Sequence, residues 1–465
     1  MEKNEAKIIK EKLFIDKKNA YLRLDDLEVN KAYDFCEDYK DFLNKSKTER
    51  EAVKYAVAAA EKNGFKEYEF GKKYNAGDKV YVNNRGKAVM LAVIGSEDIA
   101  NGVRVIAAHI DSPRLDMKQN PLYEDTGFAY FKTCYYGGIK KYQWTAIPLA
   151  LHGVIIKSDG TSVEINIGED EGDPCFVVND LLPHLAVEQM KRSLSDGIKG
   201  EEINILIGSR PFKSDDESEL VKINILKMLN EKYGITEYDF ITAELEAVPL
   251  NKARDIGFDR SLIGSYGQDD RVCAYPALQA ALVCKNPAKT IITVLTDKEE
   301  IGSDGNTGLK AAYLENFITD LAKSGGREGY NVIAASKCLS ADVNVGFDPC
   351  FPDVVDHKNC AYLNNGVVLT KYTGSRGKSG TSDASAEFIG EISRMLNSAG
   401  VIWQTGELGK VDGGGGGTVA MYIANLNVDV VDIGVPVLSM HAPFEIISKL
   451  DLYMTYKAFR AFFEN

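Results

Sequence analysis

The chain has 465 residues, 45% of them hydrophobic and 26% charged. That is too long for one compact core and fits about two domains, or one large domain carrying an insertion. Lys and Arg number 55 against 68 Asp and Glu, and the net charge of −13 repels phosphate backbones and argues against a nucleic-acid binder.

The N-terminal stretch is charged throughout and lacks the apolar region of a secretory signal. The longest apolar stretch, 145–156, falls short of the about 20 residues that a spanning helix needs. Eight scattered cysteines form no C-x-x-C pair and read as reduced thiols. A cytoplasmic protein without a membrane segment is expected.

Ser46-Lys-Thr-Glu49 has the pattern of a capping box opening a helix to about Lys62, which Asn63-Gly64 closes. VYVNN (80–84), AVMLAVIG (88–95) and RVIAAHI (104–110) follow as strands, the last two apolar enough to be buried on both faces. From Pro121 to Pro249 the texture becomes strand-rich. GVIIKSDGTSVEINIG (153–168) reads as a hairpin turning at Asp159-Gly160, and a charged helix is expected near 217–232. After Pro249 helices and strands alternate. Helices are expected at about 270–285, 308–323, 382–397, from Thr418, and at 448–463. Strands are expected at 290–296, 338–345, 366–374, 401–408 and 428–436. This alternation predicts an α/β fold, a mainly parallel sheet with helices on both faces. Ligands then sit beyond the carboxyl ends of the strands.

Five histidines limit where imidazole chemistry can lie. Strand 104–110 ends in His109-Ile-Asp111, and 290–296 runs into Glu299-Glu300. Asp269-Asp270 opens a helix, 338–345 contains Asp342, and His441 follows 428–436. His-x-Asp, Asp-Asp, Glu-Glu, Asp and His together form a complete ligand set for two divalent metals. Imidazole and oxygen ligands suit zinc, cobalt or manganese. His109 and Asp111, at i and i+2, share a face, so Asp111 can hold the second imidazole nitrogen. Of Glu299 and Glu300, one can bind metal while the other takes a proton from water. His184 reads as structural, His152 as packing and His357 as surface. The Gly413–Gly417 run lacks the Gly-Lys-Ser/Thr ending of a phosphate loop and reads as a close backbone approach or a flexible loop.

With these stretches the chain resembles the aspartyl aminopeptidase family of dinuclear zinc peptidases. The resemblance rests on AAHIDSPRLDMK (107–118), YYGGIKKYQW (135–144), LLPHLA (181–186), GQDDRVCAYPAL (267–278), TDKEEIGSDGNTG (296–308), LSADVNVGFDP (339–349) and VLSMHAPFEI (437–446), in family order. It implies that His109 and Asp342 bind one metal, that Glu300 and His441 bind the other, and that Asp269 bridges them. It implies Glu299 as general base and Asp111 as the group orienting His109. It also implies a catalytic domain (1–118 and 250–465) split by a dimerisation domain (119–249), and a tetrahedral homo-oligomer of twelve subunits acting on peptides.

The departures fall where specificity is set. Val345 and Asp348 replace two histidines, TAIPL (145–149) replaces an acidic-basic run, and Asp412 with five glycines replaces a late loop. The substrate lysine falls on Thr370, beside Lys371. The expectation is therefore a metallo-aminopeptidase whose preference for N-terminal Asp or Glu is open. The alternatives are a relative with neutral or basic specificity, a deacylase, or an inactive scaffold.

Overall fold

The computed structural model describes residues 2–15, 18–215 and 217–465. A nine-stranded sheet forms its centre. In order across the sheet its strands are Lys66–Glu67, Lys79–Asn84, Ala88–Val93, Ile291–Thr296, Arg104–His109, Lys337–Ala341, Asp429–Gly434, Val367–Thr370 and Trp403–Thr405. The middle four are mutually parallel, and antiparallel pairings enter on either side of them. The sheet is thus mixed, with a parallel centre.

The alternation of side chains explains why both faces are covered. Ile106 and Ala108 enter one apolar cluster, while Val105 and Ala107 enter another. The first cluster includes helices Asp26–Lys45, Glu49–Lys62, Gln268–Val283, Ala386–Ser398 and Lys449–Glu464; the second includes Tyr313–Ser324 and Gly329–Ala334. Two apolar faces are what a parallel sheet requires of its strands.

A second sheet has seven strands: Ser162–Ile167, Leu149–Ile156, Glu244–Pro249, Arg114–Asp125, Phe128–Tyr136, Ile205–Gly208 and Val177–Val178. Every neighbouring pair in it is antiparallel. It buries its own apolar cluster, against which residues of helix Leu220–Tyr233 pack. Its strand Arg114–Asp125 crosses position 118/119, and Glu244–Pro249 ends at the other expected boundary. The expected hairpin is present, and Thr161 N–H donates to Asp159 in its turn. A third sheet joins five short strands: Arg254–Ile256, Leu262–Ser265, Glu445–Ser448, Pro436–Leu438 and Asn344–Val345.

Several late elements are shorter than expected. The strand expected at 401–408 is Trp403–Thr405, and that at 366–374 stops at Thr370. The helix expected from Thr418 is only Ala420–Ala424, and the chain turns at Asn427, whose φ is 71°. Among the described residues no helix is long and apolar enough to cross a membrane.

Candidate metal centre

The carboxyl ends of the parallel strands converge on one cluster. His109 is the last residue of Arg104–His109, and Asp342 directly follows Lys337–Ala341 rather than lying within it. Glu299 and Glu300 begin a short 3-10 turn after Ile291–Thr296. Asp269 and Asp270 lie in the first turn of helix Gln268–Val283, joined by a cis peptide bond. His441 comes from the loop between Pro436–Leu438 and Glu445–Ser448, in a left-handed conformation with φ of 62°.

Asp269 stands between the two imidazoles. Its Oδ1 is 3.2 Å from His109 Nε2, and its Oδ2 is 3.2 Å from His441 Nε2. Asp342 Oδ1 lies 3.8 Å from His109 Nε2, and Glu300 Oε2 lies 3.6 Å from His441 Nε2. Glu299 Oε2 is 4.0 Å from His109 Nε2. The sequence-predicted ligands and the paired glutamate are therefore brought together. Asp270 also enters, since it can share a ligand group with His109 and Asp342.

The donor set fits a dication. Ligand atoms of His109, Asp269 and Glu300 all lie within 4.8 Å of one another. Glu300 Oε1 and both carboxyl oxygens of Asp270 are buried without a hydrogen-bond partner. Five carboxyls share this space with two imidazoles. Burial pushes Glu299 up to about 7, with Asp111 and Asp269 adding to the effect and His109 opposing it. Burial likewise raises Glu300, Asp342 and Asp270 well above the usual carboxylate range. Asp269 is held low despite burial, because both imidazoles bond to it. His441 rises to about 10 despite burial, through Asp269 and Glu300. A cation among these groups would keep the carboxylates ionised and the imidazoles neutral.

Asp111 is buried beneath His109. The His109 Nδ1 atom is nearest the Asp111 backbone carbonyl, at 3.0 Å, with the carboxylate Oδ1 at 3.4 Å. The carboxylate has further duties: it accepts the N–H groups of Glu299 and Glu300, each at 3.2 Å, and the Tyr136 hydroxyl at 2.8 Å. Asp111 thus orients the glutamate turn as well as the imidazole.

Other contributors carry no motif that spacing alone exposes. His441 Nδ1 is held by the Gly138 carbonyl at 2.8 Å. A Cβ on Gly138 would meet that nitrogen at 3.3 Å, and one on Gly137 would meet Glu300 Oε2 at 3.2 Å. The YYGG segment therefore brings the second sheet against the centre through two residues without side chains. Glu445 accepts backbone N–H groups of Asp269 and His441. Burial pushes it up to about 8, Asp269 adds to that, and its backbone hydrogen bonds pull it down.

The remaining histidines stay apart. His184 is exposed, so the structural reading of it is corrected. His152 is buried between Glu51 and Glu169, in a charged cluster rather than in simple packing. His357 is exposed and bonds to the Pro352 carbonyl. The glycine run makes a close backbone approach: Gly374 N–H donates to the Gly416 carbonyl, and a Cβ on Gly415 would lie 1.9 Å from the Gly374 oxygen.

Comparison with known proteins finds relatives over nearly the whole chain. Residues 42–463 match the family described as Aminopeptidase I zinc metalloprotease (M18). A probable M18 family aminopeptidase 1 of Clostridium acetobutylicum is 51% identical over 460 residues, covering 96% of this chain and 98% of the relative. The crystal structure of an M18 aminopeptidase from Thermotoga maritima superposes with a TM-score of 0.93 at 46% identity, covering 97% and 99% of the two chains. At greater distance, the S. cerevisiae mApe1 dodecamer shares the fold at 20% identity, with a TM-score of 0.75 and coverage of 92% and 96%.

Proposed function

The chain belongs to the M18 family of zinc metallo-aminopeptidases, and from that premise we propose that it removes N-terminal residues from peptides at a dinuclear zinc centre. In this reading His109 and Asp342 hold one ion, Glu300 and His441 hold the other, and Asp269 bridges. Bound zinc would polarise the scissile carbonyl and make its water acidic. Cobalt or manganese would accept the same ligands. Glu299 accepts a proton from the attacking water and returns it to the leaving amine. Asp111 sets the tilt of His109 and the position of the turn carrying Glu299 and Glu300.

The observation that supports this most strongly is the placement of Asp269. Its two oxygens face two imidazoles, each at 3.2 Å. Glu299 stands beside them without serving as the bridge. Glu299→Gln should keep its metal but lose turnover by about 10²–10⁴-fold. Near-normal turnover in that variant would remove Glu299 from the role of base.

A neutral or basic N-terminal residue is favoured over Asp or Glu by one observation. Where the resemblance puts a substrate lysine, Thr370 bonds Asn344, and Lys371 is occupied by Asp383 and the Ala384 carbonyl, each at 2.7 Å. A panel of aminoacyl substrates, with N-acyl amino acids as the deacylase control, tests this.

The antiparallel sheet region, about 119–249, is read as the inserted dimerisation domain of a tetrahedral dodecamer in the cytoplasm. Support comes from the mApe1 dodecamer and from the exposed run Leu181, Leu182, Leu185, Val187, Met190 and Leu194 in this region. The free cysteines accord with a reducing compartment.

A further inference from the structure

Glu445 is 1% exposed and lies at the start of strand Glu445–Ser448 in the third sheet. One carboxylate oxygen, Oε2, accepts the N–H groups of Gln268 at 2.7 Å and Asp269 at 3.1 Å. The other, Oε1, accepts the N–H of His441 at 2.7 Å. Three backbone donors from two distant segments therefore meet on one side chain, and two of them belong to residues read as metal ligands.

Each end of this bridge meets a local need. Helix Gln268–Val283 has Gly267 at its N-cap, which supplies no side-chain acceptor. The first N–H groups of a helix need one, and an anion there also suits the helix dipole. Glu445 supplies that acceptor from another strand. At the other end, His441 and Ser439 have φ of 62° and 57°, a region that residues with a Cβ occupy only when held. The N–H of His441 is held by Glu445 Oε1. The Glu445 backbone is fixed as well. Gln268 Nε2 donates to the Glu445 and Ile263 carbonyls, while Gln268 Oε1 accepts from Tyr39.

We propose that Glu445 is a positioning residue that fixes the spacing between the bridging aspartate, Asp269, and the terminal ligand His441. The inference rests on the dinuclear reading given above. On the opposite side the Asp111 carboxylate accepts the N–H groups of Glu299 and Glu300, while His109 Nδ1 lies 3.0 Å from the Asp111 backbone carbonyl and 3.4 Å from its carboxylate. Two buried carboxylates, neither of them a ligand, thus hold the backbone from which most of the ligands project.

The substitution Glu445→Gln separates this role from plain helix capping. The amide oxygen can still accept the two N–H groups at the helix start. The amide nitrogen is then left facing the N–H of His441, donor against donor. Capping survives and His441 is released. Chelator competition with Zn²⁺, and Co²⁺ absorption spectra, should show two ions on the wild-type protein. The variant should keep one at wild-type affinity and bind the other about 10–100-fold more weakly, as loss of an outer partner does. Wild-type affinity for both ions in the variant would overturn the inference and leave the dinuclear reading standing. Binding of only one ion by the wild-type protein would overturn both.

Hydrogen exchange on the unaltered, metal-loaded protein gives a check that does not depend on the variant folding. The peptide containing the His441 amide should exchange slowly. Fast exchange there would overturn the inference.

Discussion

Tyr136 reaches the centre through a single hydroxyl. It bonds Asp111 Oδ2 at 2.8 Å, while its ring lies 3.9 Å from the Arg114 guanidinium. Removing the hydroxyl leaves the ring and its cation–π contact in place. Asp111 then keeps the two N–H donors of the glutamate turn but loses its shortest bond. Tyr136→Phe should lower kcat about 10-fold with little change in KM, because Asp111 holds the glutamate turn and faces His109, and loss of outer partners at metal sites has effects of that order. Steady-state kinetics on metal-saturated enzyme checks this; an unchanged kcat would show that the backbone donors alone hold Asp111. At this scale the sequence exposes some residues and hides others. His109, Asp342, Glu299 and Glu300 stand out because each closes or follows an apolar run. Tyr136 and Glu445 do not: Tyr136 meets a carboxylate on the neighbouring strand's approach, 25 residues away, and Glu445 meets backbone groups of a distant segment. Glu445 meets Gln268 across 177 residues, and no local spacing encodes that meeting.

Helices and strands were legible where the chain repeats a pattern for long enough. Helix Glu49–Lys62 was expected from a capping box at Ser46 to Glu49, but the box lies two residues further on, at Thr48 and Glu51. Thr48 Oγ1 accepts the Glu51 N–H at 3.2 Å, and Glu51 Oε2 accepts the Thr48 N–H at 3.2 Å. Thr48→Ala should cost about 1 kcal/mol of stability, read as a lower apparent unfolding temperature, with kcat unchanged. A drop in kcat at unchanged stability would contradict a purely capping role. The third sheet, by contrast, was not visible. Asn344–Val345 and Pro436–Leu438 have two and three residues, too few to show a period. Their pairing partners, supplied by the fold, decide their conformation. Yet this sheet carries Glu445 and flanks His441, so the least legible element supports the rear of the site. The 401–408 segment fails in the opposite sense: a strand of that length was expected, and only Trp403–Thr405 forms.

At the scale of the whole molecule, ion pairs join the nine-stranded and seven-stranded sheets. Arg114 reaches Glu49 at 3.2 Å, and Lys47 Nζ reaches Glu169 at 2.6 Å. His152 is 1% exposed, on strand Leu149–Ile156. Its Nδ1 lies 2.7 Å from Glu51, on the capped helix, and its Nε2 lies 3.2 Å from Glu169. Asn166 also faces Glu51, at 3.5 Å. Burial disfavours the imidazolium, but the bonds to Glu169 and Glu51 outweigh it and raise the His152 pKa above 6.5. A folded pKa above the unfolded one means that the folded state holds the proton more tightly. The stabilisation is therefore complete below about pH 6.5 and is lost as pH rises through the raised value. Glu169 behaves oppositely. Burial raises it, but His152 and Lys47 win and lower it below 4.5, so its contribution is lost on the acid side. The apparent unfolding temperature should thus fall on both flanks. His152→Gln should lower the plateau and flatten the alkaline flank, while the acid flank persists because Lys47 still pairs with Glu169. Scans at a fixed rate over a pH series, on both proteins, measure the difference, which cancels titration at the metal centre common to the two. An alkaline flank of equal slope in the variant would show that His152 does not carry it.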